Sequence, residues 1–156
     1  MTMDLRAFIA TSIGSARLGD LLFFDGHWRI KVEIQGDAKY LLNLTGDFDG
    51  PLLRIFDDSS DRCNVLNEGY QWEPYGELET GAQPAPGHLS GVVSETGLAI
   101  ACFANDRNLF FSATGSKVSP TTRGNLVFSQ WSIRIRRLAD AESWLLTSVG
   151  SKAKTT

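Results

Sequence analysis

From residue 27 to residue 35 apolar and polar side chains alternate without a break. Trp28, Ile30, Val32 and Ile34 point one way, while His27, Arg29, Lys31, Glu33 and Gln35 point the other. A period of two is the mark of a β-strand, because successive Cβ atoms leave opposite sides of the pleat. The same period returns at 39–45, where Tyr40, Leu42 and Leu44 share a face, and at 127–137. In that last run Trp131, Ile133 and Ile135 are expected inward, with Gln130, Ser132, Arg134 and Arg136 outward. Shorter strands are read at 52–56, 63–66, 88–93, 98–104 and 108–113. Between them lie turn-forming runs such as Asp58-Ser59-Ser60-Asp61, Glu95-Thr96-Gly97 and Asn105-Asp106.

The pattern also constrains register, since a slip of one residue turns a strand's apolar set to the opposite face. A two-residue Gly36-Asp37 loop would set Val32 against Leu41 and mix the faces. An odd-numbered loop keeps the apolar face whole, pairing Ile34 with Tyr40, Val32 with Leu42 and Ile30 with Leu44. A tight turn at Asn105-Asp106 would place Ala101 against Phe110 and Ile100 against Phe111, the first a small-against-large match.

Two segments show helical spacing instead. Leu5, Phe8, Ile9 and Ile13 fall on one helical face between Asp4, a suitable N-cap, and Gly14, a suitable stop. Near the other end, Leu138, Ala141, Leu145 and Val149 form a stripe behind Asp140 and before Gly150. The predicted architecture is therefore mainly β: an antiparallel barrel or two-sheet sandwich of about eight strands, with a short helix at each terminus. Residues 1–150 are expected to form a single domain with 67–87 as a long loop excursion, and 151–156 a polar tail.

Composition changes this picture little. With 156 residues, 42% hydrophobic and 21% charged, the chain has an ordinary globular balance. Its apolar runs are too short for a membrane-crossing helix, and Asp4 and Arg6 interrupt any signal-peptide core, so a cytoplasmic location is expected. Cys63 and Cys102 sit in strand-like apolar contexts and are expected as free, buried thiols.

Charge adds more. Residues 1–106 hold 16 acidic and 7 basic side chains, and residues 107–156 hold 2 and 8, a net of −9 against +6. Two readings follow: neutralisation within one molecule, or opposite-signed faces that drive self-association or capture of a charged partner. A pI of about 5.3 argues against nucleic acid as the partner.

The excursion interleaves Tyr70, Trp72 and Tyr75 with Glu68, Glu73, Glu77 and Glu79, and there is no Lys or Arg between Cys63 and Asp106. Aromatic faces beside carboxylates suit a sugar ring, a cation or a basic peptide; docking on this domain or on a second copy is the plainer alternative. Arg134, Arg136 and Arg137 could take a phosphate or the acidic excursion of another molecule, or simply charge an outer strand face. Asp47, Asp49, Asp57, Asp58 and Asp61 lack calcium-loop spacing. His27 and His88 are the only histidines, and the His88, Ser90 pair matches no nucleophile motif. No metal, cofactor or phosphate signature is present.

These features point to a non-enzymatic protein–protein interaction or assembly module that binds a protein partner or itself. Its predicted contact residues are Tyr70, Trp72, Glu73, Tyr75, Glu77, Arg134, Arg136 and Arg137. A small-ligand or carbohydrate-binding β-barrel, with Tyr70, Trp72 and Tyr75 closing over the ligand, is the alternative. A small hydrolase or isomerase using loop carboxylates with His88 is the third reading.

Overall fold

The computed structural model of the chain describes residues 4–34, 36, 38–45, 51–76, 79–80, 89–94, 97–104, 107–119, 126–128 and 130–150. Among the described residues a single 3₁₀ turn, Leu5–Ala7, is followed by elements that are all strands. In chain order they are β1 (Phe8–Ser12), β2 (Leu21–Phe24), β3 (His27–Ile34), β4 (Ala38–Asn43), β5 (Leu52–Ile55), β6 (Arg62–Leu66), β7 (Tyr70–Gly76) and β8 (Glu79–Thr80). The second half supplies β9 (Ser90–Ser94), β10 (Gly97–Ala104), β11 (Arg107–Ser112), β12 (Lys117–Val118), β13 (Leu126–Phe128), β14 (Gln130–Arg137) and β15 (Ser143–Gly150).

These strands make three antiparallel sheets, ordered β1-β6-β2-β3-β4-β5, β12-β11-β10-β9-β13-β8 and β15-β14-β7. Among the described residues no sheet closes on itself, so the barrel alternative is not adopted. One core cluster draws on all three sheets: Leu21, Ile30, Val32 and Leu42 from the first, Ile100, Leu109 and Phe111 from the second, and Trp131, Ile133, Ile135 and Trp144 from the third. Burying such side chains contributes roughly 1.5–3 kcal/mol each, which is what holds the sheets together against the entropy of ordering the chain.

The odd-numbered loop after β3 is present, but the register lies two residues from the expected pairing. Ile34 opposes Ala38, Val32 opposes Tyr40 and Ile30 opposes Leu42, so three residues separate the strands and the apolar face stays whole. Parity was dictated by burial, whereas the pattern could not choose between odd loops. The second hairpin has the expected register, with Ala101 opposite Phe110 and Ile100 opposite Phe111.

Neither terminal helix forms. Asp4 does cap, accepting from the Arg6 backbone N–H at 3.0 Å, but the turn ends at Ala7 and the chain extends as β1 along β6. At the other end the chain turns at 138–142, where Ala141 takes a left-handed φ of 59°, and returns as β15 along β14. Trp144 and Val149 enter the core, while Leu138 and Leu145 of the supposed helical stripe face solvent. Trp144, Thr147 and Val149 favour strand, and an extended partner strand in β14 overrode the helical spacing.

The alternation in β3 is as expected, yet both of its faces are covered. The segment between β1 and β2 folds over the second face, where Ile13 and Ala16 pack with Leu22, Leu41, Ile55, Cys63 and Val65. Arg29 and Lys31 on that face are only 3% and 2% exposed. The Arg29 guanidinium donates to Asn43 Oδ1 at 2.6 Å and to the Phe24 carbonyl at 3.2 Å. Lys31 Nζ donates to the carbonyls of Ile13, Gly14 and Ala16 at 3.1, 3.4 and 2.6 Å. Cys63 and Cys102 are free and buried, and burial pushes the Cys102 thiol up to about 12.

Candidate functional site

Much of the predicted loop excursion is strand. β7 covers residues 70–76 and pairs along its whole length with β14, setting Tyr70 opposite Arg137, Gln71 opposite Arg136, Trp72 opposite Ile135, Glu73 opposite Arg134 and Tyr75 opposite Ser132. The acidic aromatic segment and the basic strand therefore meet within one molecule. Pro74 is accommodated because β7 is the outer strand of its sheet, where a missing N–H need not break a ladder.

Alternation along β7 divides the predicted contact residues between two faces. Tyr70 and Trp72 pack against the main core. Trp72 Nε1 donates to the Gly19 carbonyl at 3.2 Å. Gln71, Glu73 and Tyr75 stand on the opposite face with Ser132, Arg134 and Arg136. Tyr75 thus points away from Tyr70 and Trp72, and the three cannot close over one ligand. Glu77 and His88 lie outside the described residues, as do Asp47, Asp49 and the polar tail.

On the outer face each arginine leans one step along β7, using diagonal contacts open to long side chains. Arg136 Nε lies 2.8 Å from Glu73 Oε1, and its Nη2 donates to Gln71 Oε1 at 3.2 Å. Arg134 lies over the Tyr75 ring, 4.8 Å from its centroid, and its buried Nε has no hydrogen-bond partner among the described residues. Across β14 from these groups lies Leu145, opposite Arg134. Tyr75 is 60% exposed and Leu145 53%.

Arg137 has a different role at the end of the strand. It reaches Asp4 Oδ2 at 3.1 Å, Asp140 Oδ2 at 2.7 Å and Glu142 Oε2 at 2.7 Å, and lies 5.2 Å from the Trp144 ring centroid. Tyr70 also donates its hydroxyl to Asp4. Sequence marks Asp4 only as a helix cap, whereas in the fold it is the shared acceptor that ties the N-terminal turn to β7 and β14. Nothing in sequence spacing links residue 4 to residues 70 and 137.

Family models, curated proteins and solved structures give no match to this chain. Its chemistry has to be read from the geometry alone. Among the described residues no group of three His, Cys, Asp or Glu could hold a metal ion, and no helix is long and apolar enough to cross a membrane. Glu73 is engaged by Arg136, and Asp4 by Tyr70, Arg6 and Arg137. The outer face carries an exposed tyrosine ring with an arginine stacked on it and, across β14 from them, an exposed leucine.

Hydrogen bonds from Tyr70 and Arg6 hold the Asp4 carboxyl well below the usual carboxylate range, and the same bond raises Tyr70. Because the folded value is depressed, the stabilisation is complete above the unfolded value, about pH 4, and is lost as pH falls through the folded one. Urea midpoints followed from pH 5 to about pH 2 should fall for the wild type. Asp4→Asn should start lower at pH 5 and show a shallower acid decline; an unchanged decline would contradict this assignment.

Proposed function

We propose that this chain is a non-enzymatic assembly module that associates through the β7, β14, β15 sheet. One observation carries the reading: the outer face of that sheet presents Tyr75, Arg134 and Leu145 together, with Tyr75 and Leu145 exposed. Tyr and Arg are the residue types that most often anchor protein interfaces, since both bring large contact area together with directed polarity. Stacking on Tyr75 also pre-orders the Arg134 side chain, which lowers the entropy lost on association.

The charge asymmetry does not itself supply the driving force. Arg136 and Arg137 from the basic C-terminal part pair with Glu73 and Asp4 from the acidic N-terminal part. Self-association should accordingly depend on apolar and backbone contacts more than on long-range attraction, and should survive added salt. Sedimentation equilibrium from micromolar to millimolar chain, at low and high ionic strength, tests this. A reversible oligomer that changes little with salt is expected; a monomer throughout would refute the reading.

A further inference from the structure

Phe56, at 64%, is the most exposed large apolar side chain among the described residues, and Tyr75 and Leu145 come next. Tyr75 and Leu145 belong to the outer face of the β7, β14, β15 sheet. Phe56 opens the segment that crosses from β5 to β6, on a turn closed by the Ser59 N–H on the Phe56 carbonyl at 3.0 Å. The turn is anchored on three sides. Gly14 N–H donates to the Ser59 carbonyl at 3.1 Å, Ile13 N–H to the Asp61 carbonyl at 2.8 Å, and Lys39 Nζ to Asp57 Oδ1 at 2.9 Å. Arg54, from the end of β5, lies over the Phe56 ring, 5.8 Å from its centroid, and occupies one side of it. An anchored turn of this kind presents its side chains with little ordering left to lose on association.

The two surfaces are complementary in charge. Arg134 stands opposite Glu73, but Glu73 is engaged by Arg136, and no carboxylate pairs with Arg134 among the described residues. The crossing segment, 56–61, holds three carboxylates and no cation of its own. Asp57 is engaged by Lys39, whereas Asp58 is exposed and has no cation or hydrogen-bond donor on its carboxylate among the described residues. One surface thus offers two apolar side chains and an uncompensated arginine, and the other an aromatic ring and an uncompensated carboxylate. They cannot meet within one molecule. The first sheet and the β7, β14, β15 sheet both turn their inner faces to the shared core, and the Phe56 turn is tied to the segment that covers the far side of the first sheet.

We infer that the Phe56 turn of a second copy of this chain docks on the Tyr75, Arg134, Leu145 face, with its Phe56 ring on Tyr75 and Leu145 and its Asp58 carboxylate on the Arg134 guanidinium. This rests on the assembly reading above and names the surface that occupies the face. Like against like makes a poorer contact. A two-fold centred on the face would set one uncompensated Arg134 beside the other, and a two-fold centred on the turn would oppose the two Asp58 carboxylates. Face on turn removes both repulsions. The docked copy keeps its own face open, so the contact is heterologous, repeats head to tail and carries growth past two chains. Burial of the three apolar side chains supplies the association, while the Arg134–Asp58 pair decides which surfaces meet. A charge pair covered by packed rings is little screened, which agrees with an assembly that survives added salt.

The test uses the full chain and substitutions at exposed positions. Leu145→Glu blocks the face gently, because the new carboxylate stands directly opposite Arg134 and pairs with it inside the same molecule. Phe56→Ser with Asp58→Ser strips the turn. In sedimentation equilibrium the wild type should grow past two chains as concentration rises, and each variant alone should associate about tenfold more weakly or less. An equimolar mixture of the two should form a one-to-one complex and nothing larger, since one intact turn and one intact face remain. That complex also shows that both variants are folded. Tyr75→Ala, a second block of the face, should act as Leu145→Glu does, alone and in the mixture, and guards against misfolding of either. Assembly that persists in the turn variant would overturn the docking while the assembly reading stood. So would mixtures that fail to associate with both face variants, or a wild type that stops at two chains. A wild-type chain that stays monomeric would overturn both the docking and the reading on which it rests.

Discussion

Replacing Lys31 by methionine is expected to destabilise the chain by about 3 kcal/mol, although it removes only a charge and keeps nearly the same volume. The Lys31 ammonium is buried beneath the segment that joins β1 to β2 and donates to three of its backbone carbonyls, those of Ile13, Gly14 and Ala16. Those oxygens lose a charged donor in the variant, and each unsatisfied buried acceptor costs on the order of 1–3 kcal/mol. The expected loss lies well below the largest sum because the segment can shift and water can enter. Lys31→Ala should cost more, since it adds a cavity under Ile13 and Ala16.

A pH dependence separates this account from simple packing. Burial depresses the ammonium, and the neighbouring Lys39 does so further, with Asp57 and Asp20 opposing. With the folded value below the unfolded one, the unfolded chain binds more protons in the interval between them, so stability rises as pH climbs toward about 10.4. That alkaline gain should be present in the wild type and missing from Lys31→Met. Denaturant titrations between about pH 8 and pH 10.5 would read it; equal slopes would show that the charge is not the operative feature.

The same residue marks what was legible in the sequence. The unbroken alternation at 27–35 was enough to identify β3 and to assign Lys31 to the face opposite Ile30 and Val32. It could not show that this face is covered, because the cover is a segment without a period of its own, and a lysine in a strand reads as a solvent-facing residue. Strands, inward faces and the 105–106 hairpin were legible because each depends on neighbours in sequence. Three-sheet packing was not, since it depends on which strands meet across 50 or more residues.

The helical readings failed for a related reason. A period near 3.6 can be traced through Leu138, Ala141, Leu145 and Val149, and only the presence of β14 alongside makes the segment a strand with Trp144 and Val149 inward and Leu145 outward. At the candidate site, the notable residue types were visible at once: three aromatics among carboxylates, and three arginines closing a strand. Their division was hidden. Once β7 is a strand, Trp72 must turn inward if Tyr75 turns outward, whereas a loop imposes no such rule. Leu145 entered the site only because the supposed helix is a strand, and Asp4 because a turn of three residues places it beside Tyr70 and Arg137.

Gly115→Ala should be among the most damaging single changes, costing about 3–5 kcal/mol, because it combines two penalties that neighbouring glycines carry separately. Gly115 lies where the turn after β11 crosses the loop before β2 and the backbone of β3. Its carbonyl accepts from the Glu33 N–H at 2.8 Å, and Gly19 N–H donates to the Lys31 carbonyl, also at 2.8 Å. A Cβ at Gly115 would sit 2.5 Å from Gly19 N and 2.5 Å from the Lys31 carbonyl oxygen, both backbone atoms that cannot swing aside. Its φ of 86° is also in the left-handed region. Gly26, with φ of 80° and nothing within 4 Å of a Cβ, isolates the conformational penalty, so Gly26→Ala should cost only about 1 kcal/mol. Gly14 isolates the steric one: its φ is ordinary, but a Cβ would meet the Asp57 carbonyl oxygen at 2.3 Å, and Gly14→Ala should cost about 2–3 kcal/mol. Urea unfolding of the three variants would place Gly115→Ala near the sum of the other two. A loss no larger than that of Gly26→Ala would mean that the crossing of β3, the β2 loop and the β11 turn yields readily, and that the junction between the first two sheets is looser than its backbone hydrogen bonds imply.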